Sequence, residues 1–249
     1  EMHAQEEAAR FAVAELLRRQ PLNAAAQAHV QTIVDSSETL LRILQDAVDL
    51  SKAEAGELEL SPTPTPLRAL MDEVQALWEP RASQDGVTLL VGYEGDTELA
   101  AMIDGARLKQ VFSNLIGNAL KFARNGVVEV GLKAWVEGDQ TRMEARVRDD
   151  GPGVDEDQIE ALFEPFGQGA GLDGAGLGLS ICRQVIDRMD GRIWAENNKG
   201  RGATFAFDVS ARRALIEAET PSNVSTLSEL NLKSAPHILI VDENATNRV

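Results

Sequence analysis

The chain of 249 residues carries 40 acidic and 24 basic residues, and its formal net charge is −16. Such an excess of negative charge argues against nucleic acid or an anionic membrane surface as a partner. Apolar residues make up 43% of the chain, enough for a packed core, and a single cysteine, Cys182, excludes an internal disulfide and fits a reducing cytoplasm.

Residues 1–60 are predicted to form a helical hairpin. Pro21 marks a turn near Gln20 to Ala24, and the helix after this turn repeats a stripe every seven positions. A lone hairpin would leave the stripe in water, so we expect two chains to pair into a four-helix bundle. The alternative is that the stripe packs on the domain that follows. The stripe consists of Val30, Ser37 and Leu44, then Ile33, Leu40 and Ala47, widened by Val34, Leu41 and Val48.

The segment SPTPTP, from Ser61 to Pro66, cannot continue a helix and is predicted to be an extended hinge. Residues 65–211 then mix helix and strand patterns, which predicts an α+β fold, an α/β sandwich with helices on one face of a sheet. Residues 212–236 are a polar linker. Helices are expected at 67–78, 107–123, 158–163 and 177–189, and strands at 87–91, 127–135, 141–149, 192–196 and 203–209.

The sequence NLIGNALKF, from Asn114 to Phe122, places polar groups on one face of a predicted helix. Asn114 and Asn118 are four residues apart and Lys121 is three further on, so the three side chains project on the same side. Amide oxygens suit Mg²⁺ and an ammonium group suits phosphate, so this helix has the groups that a triphosphate needs. By itself, a solvated polar stripe explains the pattern equally well.

The sequence DDGPG, from Asp149 to Gly153, follows an alternating run that predicts a strand ending in a turn. A carboxylate at a strand end can accept a hydrogen bond from an exocyclic amine, so Asp149 is the candidate for adenine recognition. Gly151 and Gly153 would let the backbone pass close to a purine. An ordinary acidic turn is the commoner meaning of Asp-Gly alone.

Two glycine-rich motifs complete the set. GAGLGL, from Gly174 to Leu179, stands directly before an amphipathic pattern and therefore predicts a helix start, where free amides and the helix dipole attract anions. A flexible linker is the alternative for such a sequence. GRGATF, from Gly200 to Phe205, lies between two strand patterns, and a plain hairpin turn explains it equally well.

Together the four motifs resemble, in order and spacing, the ATP-binding domain of sensor histidine kinases, in the fold family shared with gyrase, Hsp90 and MutL. The resemblance covers roughly residues 65–210. Residues 49–60 are similar to the end of the dimerisation hairpin and its linker, and FEPFGQ at 163–168 is similar to the segment before the nucleotide lid. HILIVDENATNR, within residues 237–249, resembles the first strand of a receiver domain. This three-part order implies a hybrid kinase.

Carried over residue by residue, the resemblance implies a site for ATP and Mg²⁺. Asn118 would bind Mg²⁺ with Asn114 beside it, and Lys121 would meet phosphate. Asp149 would accept a hydrogen bond from the adenine amino group, and Thr204 would support the base through its hydroxyl. The other ATP-binding residues implied are Phe122, Gly151, Gly153, Gly174, Gly176, Leu177 and Gly178.

Two features depart from the family pattern. Only GQGAGLD separates Phe166 from Gly174, a lid shorter than is usual and without a basic residue. The phosphoacceptor box, a histidine followed by an acid and later a proline, has no match. An ungapped placement sets the acceptor near Glu1, and a second placement, on RRQPLN, sets Leu16 there.

Of the three histidines, His3 is the nearest candidate for the phosphoacceptor. It lacks the following acid, and Ala8 stands where the proline is expected. His29 is expected on a solvated helix surface, and His237 opens a strand and is expected to be structural.

Three functions are compatible with these features. The first is a dimeric, ATP-binding histidine-kinase module of a hybrid two-component protein, with impaired autophosphorylation. The second is a pseudokinase that regulates a partner kinase or response regulator, and the third is an ATPase of the gyrase or MutL branch, against which the hairpin and receiver-like tail argue. The expected partners are a second copy of the chain and a response regulator or receiver domain. The chain has no membrane segment and is expected in the cytoplasm, although the full-length protein could be membrane-attached.

Overall fold

The structure is a computed structural model that describes residues 23, 26–27, 29–34, 36–37, 40, 44, 48, 51, 58–123, 125–165 and 177–214. Each of the described residues from 26 to 51 is helical. Among the described stripe residues, Val30, Val34 and Ser37 are buried, whereas four apolar side chains are 39–48% exposed. The exposed set consists of Ile33, Leu40, Leu44 and Val48. The first predicted helix, most of its turn, the predicted linker beyond residue 214 and the receiver-like segment lie outside the described residues. Residues 212–214, predicted to belong to the linker, are the end of a strand.

The segment after this helix is attached to the domain, which corrects the predicted hinge. Leu58 is 3% exposed in the core, and Ser61 N–H donates to Asp104 Oδ2 at 3.0 Å. Strand β1 (Thr63–Pro66) pairs antiparallel with β3 (Ala100–Ile103). Proline is compatible with this strand because β1 lies at the edge of the sheet, where a missing N–H breaks no inner ladder.

The remaining elements confirm the predicted α+β sandwich. Between β1 and β3 lie helix α1 (Leu67–Gln84) and strand β2 (Thr88–Glu94), and after β3 come helix α2 (Gly105–Phe122) and strands β4 (Val127–Glu137) and β5 (Gln140–Asp149). Helix α3 (Gly178–Arg188) and strands β6 (Arg192–Asn197) and β7 (Ala203–Ala214) complete the described part. The predicted helix at 158–163 is instead two 3₁₀ turns, Glu156–Gln158 and Glu160–Phe163. Among the described residues, no helix combines the length and apolarity needed to cross a bilayer.

The strand order is β1-β3-β7-β5-β4-β2, and β6 also pairs with β7. Only β2 and β4 pair in parallel; the other ladders of the described sheet are antiparallel. Side chains alternate between a buried face and a charged outer face along β4 and β5. Helix α2 packs on β4 and β5, and α3 packs on β6 and β7, which places the helices on the buried face.

The start of α2 is fixed by Asp104. Its Oδ1 accepts from Arg107 N–H at 3.0 Å, as an N-cap does. Further along, Phe112 packs edge-to-face on Phe207 of β7, with ring centroids 5.4 Å apart. These contacts set the position of α2 over the sheet, and therefore the position of the asparagines in its second half.

The buried hydroxyl of Thr141 lowers the stability of this core. The residue has no exposed surface, and its Oγ1 has no hydrogen-bond partner among the described residues. Thr141→Val, which replaces the hydroxyl with a methyl group, is expected to raise the free energy of unfolding by about 1 kcal/mol. Thermal denaturation measures this. A lower melting temperature for the valine variant would show that the hydroxyl is satisfied in solution.

Candidate functional site

A cavity of about 250 Å³ opens between the end of α2, the loop after β5 and the start of α3. Its walls are mostly apolar and include the polar side chains of Asn118, Asp149, Asp155 and Gln158. The elements that line the cavity are far apart in the chain. Because β5 and β7 pair antiparallel, the end of β5 lies beside the start of β7. The cavity is lined by Asn118, Ala119, Phe122, Asp149, Pro152, Gly153, Val154, Asp155, Gln158, Leu162, Leu179, Ala203 and Phe205.

Helix α2 contributes its last two turns. Asn118 lines the cavity with Phe122, one turn further on. The Asn118 side chain has no hydrogen bond within the described residues, so its amide oxygen is available to a ligand. Asn114 donates from Nδ2 to the carbonyl oxygen of Gly178 at 3.2 Å, which ties α2 to the start of α3. Lys121 is exposed and does not line the cavity. Of the three side chains on the predicted polar face, Asn118 therefore lines the cavity, Asn114 links α2 to α3, and Lys121 faces solvent.

Asp149 lies at the end of β5 and is 5% exposed. Its Oδ1 accepts from Gly151 N–H at 2.8 Å and from Ala203 N–H at 3.4 Å. Within the described residues no donor reaches Oδ2, which leaves this oxygen for a ligand. Burial raises the pKa of Asp149; the two backbone hydrogen bonds oppose that rise, and the negative charge of Asp150 adds to it.

Two glycines allow the backbone to close around this carboxylate. A Cβ on Gly151 would lie 2.7 Å from Asp149 Oδ1 and 3.0 Å from the Phe122 Cβ. Gly202 has φ +85°, and a Cβ there would overlap the carbonyl oxygen of Asp149. Gly202 was not among the predicted site residues. The signal that could have found it is the second glycine of GRG, one residue before β7.

The start of α3 forms another side of the site. Leu177 is 4% exposed and accepts from Ile181 N–H, and Gly178 opens the helix beside Asn114. Leu179 reaches the cavity. The first amides of a helix have no partner within it, so this terminus can attract an anion. Gly174 and Gly176, which belong to the same predicted motif, lie outside the described residues.

Thr204, which was expected to support the base through its hydroxyl, does not line the cavity. Side chains alternate along β7, so its neighbours Ala203 and Phe205 face the cavity instead. The Thr204 hydroxyl donates to Asn198 Oδ1 at 2.6 Å. A period of two along β7 would have identified the two neighbours. Nothing local indicated Leu162, which reaches the cavity through the 3₁₀ turns.

The arrangement suits a flat, apolar ring that carries an N–H donor. Phe122, Leu162 and Phe205 provide apolar walls, and Asp149 places an unused carboxylate oxygen among them. The described residues contain no group of three or more His, Cys, Asp or Glu side chains that could hold a metal ion. The Asn118 amide oxygen, which lines the cavity, is of the kind that Mg²⁺ accepts as a ligand beside phosphates.

This chain is similar to known signalling proteins. The family described as histidine kinase-, DNA gyrase B-, and HSP90-like ATPase matches residues 103–213. The virulence sensor protein BvgS of Bordetella bronchiseptica is 32% identical over 228 residues, which cover 88% of this chain and 18% of BvgS. The chain thus spans less than a fifth of that relative's length.

Two solved structures share the fold. Full-length ShkA, in complex with AMPPNP, superposes with a TM-score of 0.68 at 30% identity, covering 85% of this chain and 44% of ShkA. The catalytic domain of histidine kinase ThkA superposes with a TM-score of 0.51 at 30% identity, covering 61% of this chain and 95% of that domain.

Proposed function

The chain belongs to the histidine kinase-, DNA gyrase B-, and HSP90-like ATPases and contains a histidine kinase ATP-binding module, and from this premise we propose that it serves a dimeric hybrid sensor kinase. The single observation that carries the nucleotide assignment is the unused Oδ2 of Asp149 in an apolar cavity. That oxygen matches the amino group of adenine. Titration with ATP and Mg²⁺ tests the proposal, and the decisive variant is Asp149→Asn.

Further support comes from the phosphate side of the site. Full-length ShkA was solved with AMPPNP, an ATP analogue. In this chain Asn118 would hold Mg²⁺ through its amide oxygen, with Asn114 beside it, while the amides at the start of α3 would face phosphate. Bound Mg²⁺ supplies charge that offsets the phosphate oxygens. Lys121, which is exposed, would act on the phosphates at longer range.

We also propose that the hairpin pairs two copies of the chain. Four apolar side chains at heptad-related positions are 39–48% exposed on one helix: Ile33, Leu40, Leu44 and Val48. A second copy of the same stripe would remove this surface from water. The family's signalling role makes a response regulator or receiver domain the expected protein partner. Residues 237–249, which resemble the start of such a domain, lie outside the described residues.

Introducing glutamates at Leu40 and Leu44 together is expected to convert the dimer to a monomer, because two charges per chain would be buried at the seam. Light scattering measures the mass. Leu77→Glu is the matched control, since Leu77 is 63% exposed on α1 and is not part of the stripe, so the mass should stay unchanged. A double variant that stays dimeric would place the interface elsewhere.

The mismatch around His3 favours weak or absent autophosphorylation, and with it the alternative that this is a pseudokinase. Transfer to a histidine needs a neutral imidazole nitrogen and usually a neighbouring carboxylate to orient it, and His3 has no acid beside it in the sequence. In a pseudokinase, ATP acts as a ligand whose effect is limited to its differential affinity for two conformations.

We therefore expect little acid-labile, base-stable phosphate on the wild-type chain after incubation with labelled ATP. His29, exposed on the helix, provides the control, because His29→Ala should behave as wild type. Phosphate that forms on the wild-type chain, survives in His29→Ala and disappears in His3→Ala would identify an ordinary kinase. ATP hydrolysis stimulated by DNA would instead favour the gyrase or MutL branch.

A further inference from the structure

Asn198, in the turn between β6 and β7, hydrogen bonds to four backbone or side-chain groups near the cavity. Its Nδ2 donates to the carbonyl oxygen of Asp149 at 2.9 Å and to that of Arg201 at 3.3 Å. Its Oδ1 accepts from the Thr204 hydroxyl at 2.6 Å. Its backbone N–H donates to the carbonyl oxygen of Gly202 at 2.9 Å. The half-buried side chain thus joins the end of β5 to both sides of this turn.

These contacts require a side-chain amide. Two carbonyl oxygens, those of Asp149 and Arg201, converge on one end of the side chain and need a group with two donor hydrogens. A hydroxyl faces the other end and needs an acceptor. An NH₂ group beside a carbonyl oxygen satisfies both, whereas a carboxylate would set oxygen against oxygen at the Asp149 end.

Asp149 is consequently held at both its main chain and its side chain by the same turn. Asn198 Nδ2 donates to the carbonyl oxygen of Asp149, and Ala203 N–H donates to the Asp149 carboxylate. Gly202 lies so close to the Asp149 carbonyl that only a residue without a Cβ fits. The neighbouring Asn197 holds the loop after β5 at Val154. Its side-chain amide donates to the carbonyl oxygen of Val154 at 2.7 Å and accepts from Val154 N–H at 2.8 Å.

We propose that Asn198 is a positioning residue that orients the Asp149 carboxylate toward the amino group of adenine. The inference rests on the proposed ATP site and deepens it. Asn198 lies outside the cavity lining and acts only through Asp149 and the turn. Fixing the Asp149 carbonyl fixes the backbone from which the carboxylate projects, so loss of Asn198 should loosen the one group that distinguishes a 6-aminopurine from other purines.

The test compares ATP with purine riboside triphosphate, in which hydrogen replaces the 6-amino group. Calorimetric titration of the full chain with each nucleotide, in the presence of Mg²⁺, gives a preference ratio. Asn198→Ala is expected to weaken ATP binding about tenfold, the scale of a lost hydrogen bond that positions a charged group, and to change binding of the other nucleotide less than twofold. Asn198→Asp, which keeps the acceptor for Thr204 but loses the donor to Asp149, should give the same pattern.

Lys199→Ala, an exposed neighbour in the same turn, is the control and should leave the ratio unchanged. In the Asp149→Asn background, Asn198→Ala should add no further loss of ATP affinity, because the group it positions is already gone. Equal losses for both nucleotides, or an additive loss in the double variant, would show a merely structural role and overturn the inference. A wild-type chain with no preference for ATP would instead overturn the proposed base recognition by Asp149.

Discussion

Replacing Asp149 with asparagine is expected to lower the affinity for ATP by roughly ten- to a hundredfold, the effect of losing a charged hydrogen bond worth about 1.5 to 3 kcal/mol. The asparagine Oδ1 can still accept from Gly151 N–H, so the loop should keep its shape. Its Nδ2, however, replaces the oxygen left for the base, and a donor facing the adenine amino group makes no hydrogen bond. Titration calorimetry with Mg²⁺ and ATP measures the loss, and an unchanged affinity would remove Asp149 from base recognition.

The same substitution should not weaken the fold, which separates binding from folding. Burial raises the pKa of Asp149 above 3.8, so the folded chain holds this proton more tightly than the unfolded chain does. The stabilising contribution of the protonated group is complete below the unfolded pKa and is lost as the pH rises through the raised folded pKa. Relative to wild type, the asparagine variant should therefore become more stable as the pH rises from below 3.8 to neutral. Denaturant titrations that show the opposite trend would contradict the raised pKa.

Gly202→Ala is expected to destabilise the chain by about 2 to 5 kcal/mol, because a left-handed φ costs a residue with a Cβ roughly 1 to 2 kcal/mol and overpacking costs about 1 to 3 more. Its φ is +85°, and the new methyl group would overlap the Asp149 carbonyl oxygen. Relief of that overlap would move Asp149 away from the cavity, so ATP binding should be lost even where the fold survives. Chemical denaturation and nucleotide titration measure the two effects.

Gly138→Ala is the matched control for this prediction. Gly138 also has a left-handed φ, +64°, but no atom lies within 4 Å of where its Cβ would be. It should therefore show only the conformational cost of about 1 to 2 kcal/mol and bind ATP normally. Equal destabilisation by the two alanines would mean that close contact with Asp149 is not what requires glycine at 202.

Local patterns predicted most of the sheet and, of the three α-helices in the described part of the domain, two closely. Helix 107–123 was expected and spans Gly105–Phe122, and strand 141–149 was expected and spans Gln140–Asp149. The missed edge strand involves a partner distant in the chain. Thr63–Pro66 has proline at alternate positions and no apolar pattern, yet it pairs with Ala100–Ile103 as an edge strand. No local pattern could indicate that partner.

The candidate site divides in the same way. Asn118, Phe122, Asp149 and Gly153 were predicted from motifs, and all four line one cavity. Thr204 was also predicted, but the alternation of β7 turns its hydroxyl toward Asn198. Whether a motif residue reaches a ligand or supports a neighbour depends on which side of its strand or helix faces the cavity, and this depends on packing.

The sequence alone determined the family resemblance, the α+β class and the carboxylate at a strand end, because each depends on residue type and short-range spacing. Only the tertiary structure decided which oxygen of Asp149 is left for a ligand and which residues hold the other. Gly151 lies two residues from Asp149 in the same turn, but Asn198, Gly202 and Ala203 contact Asp149 because β7 lies beside β5 in one register. That register comes from burial of one face of the sheet under α2 and α3.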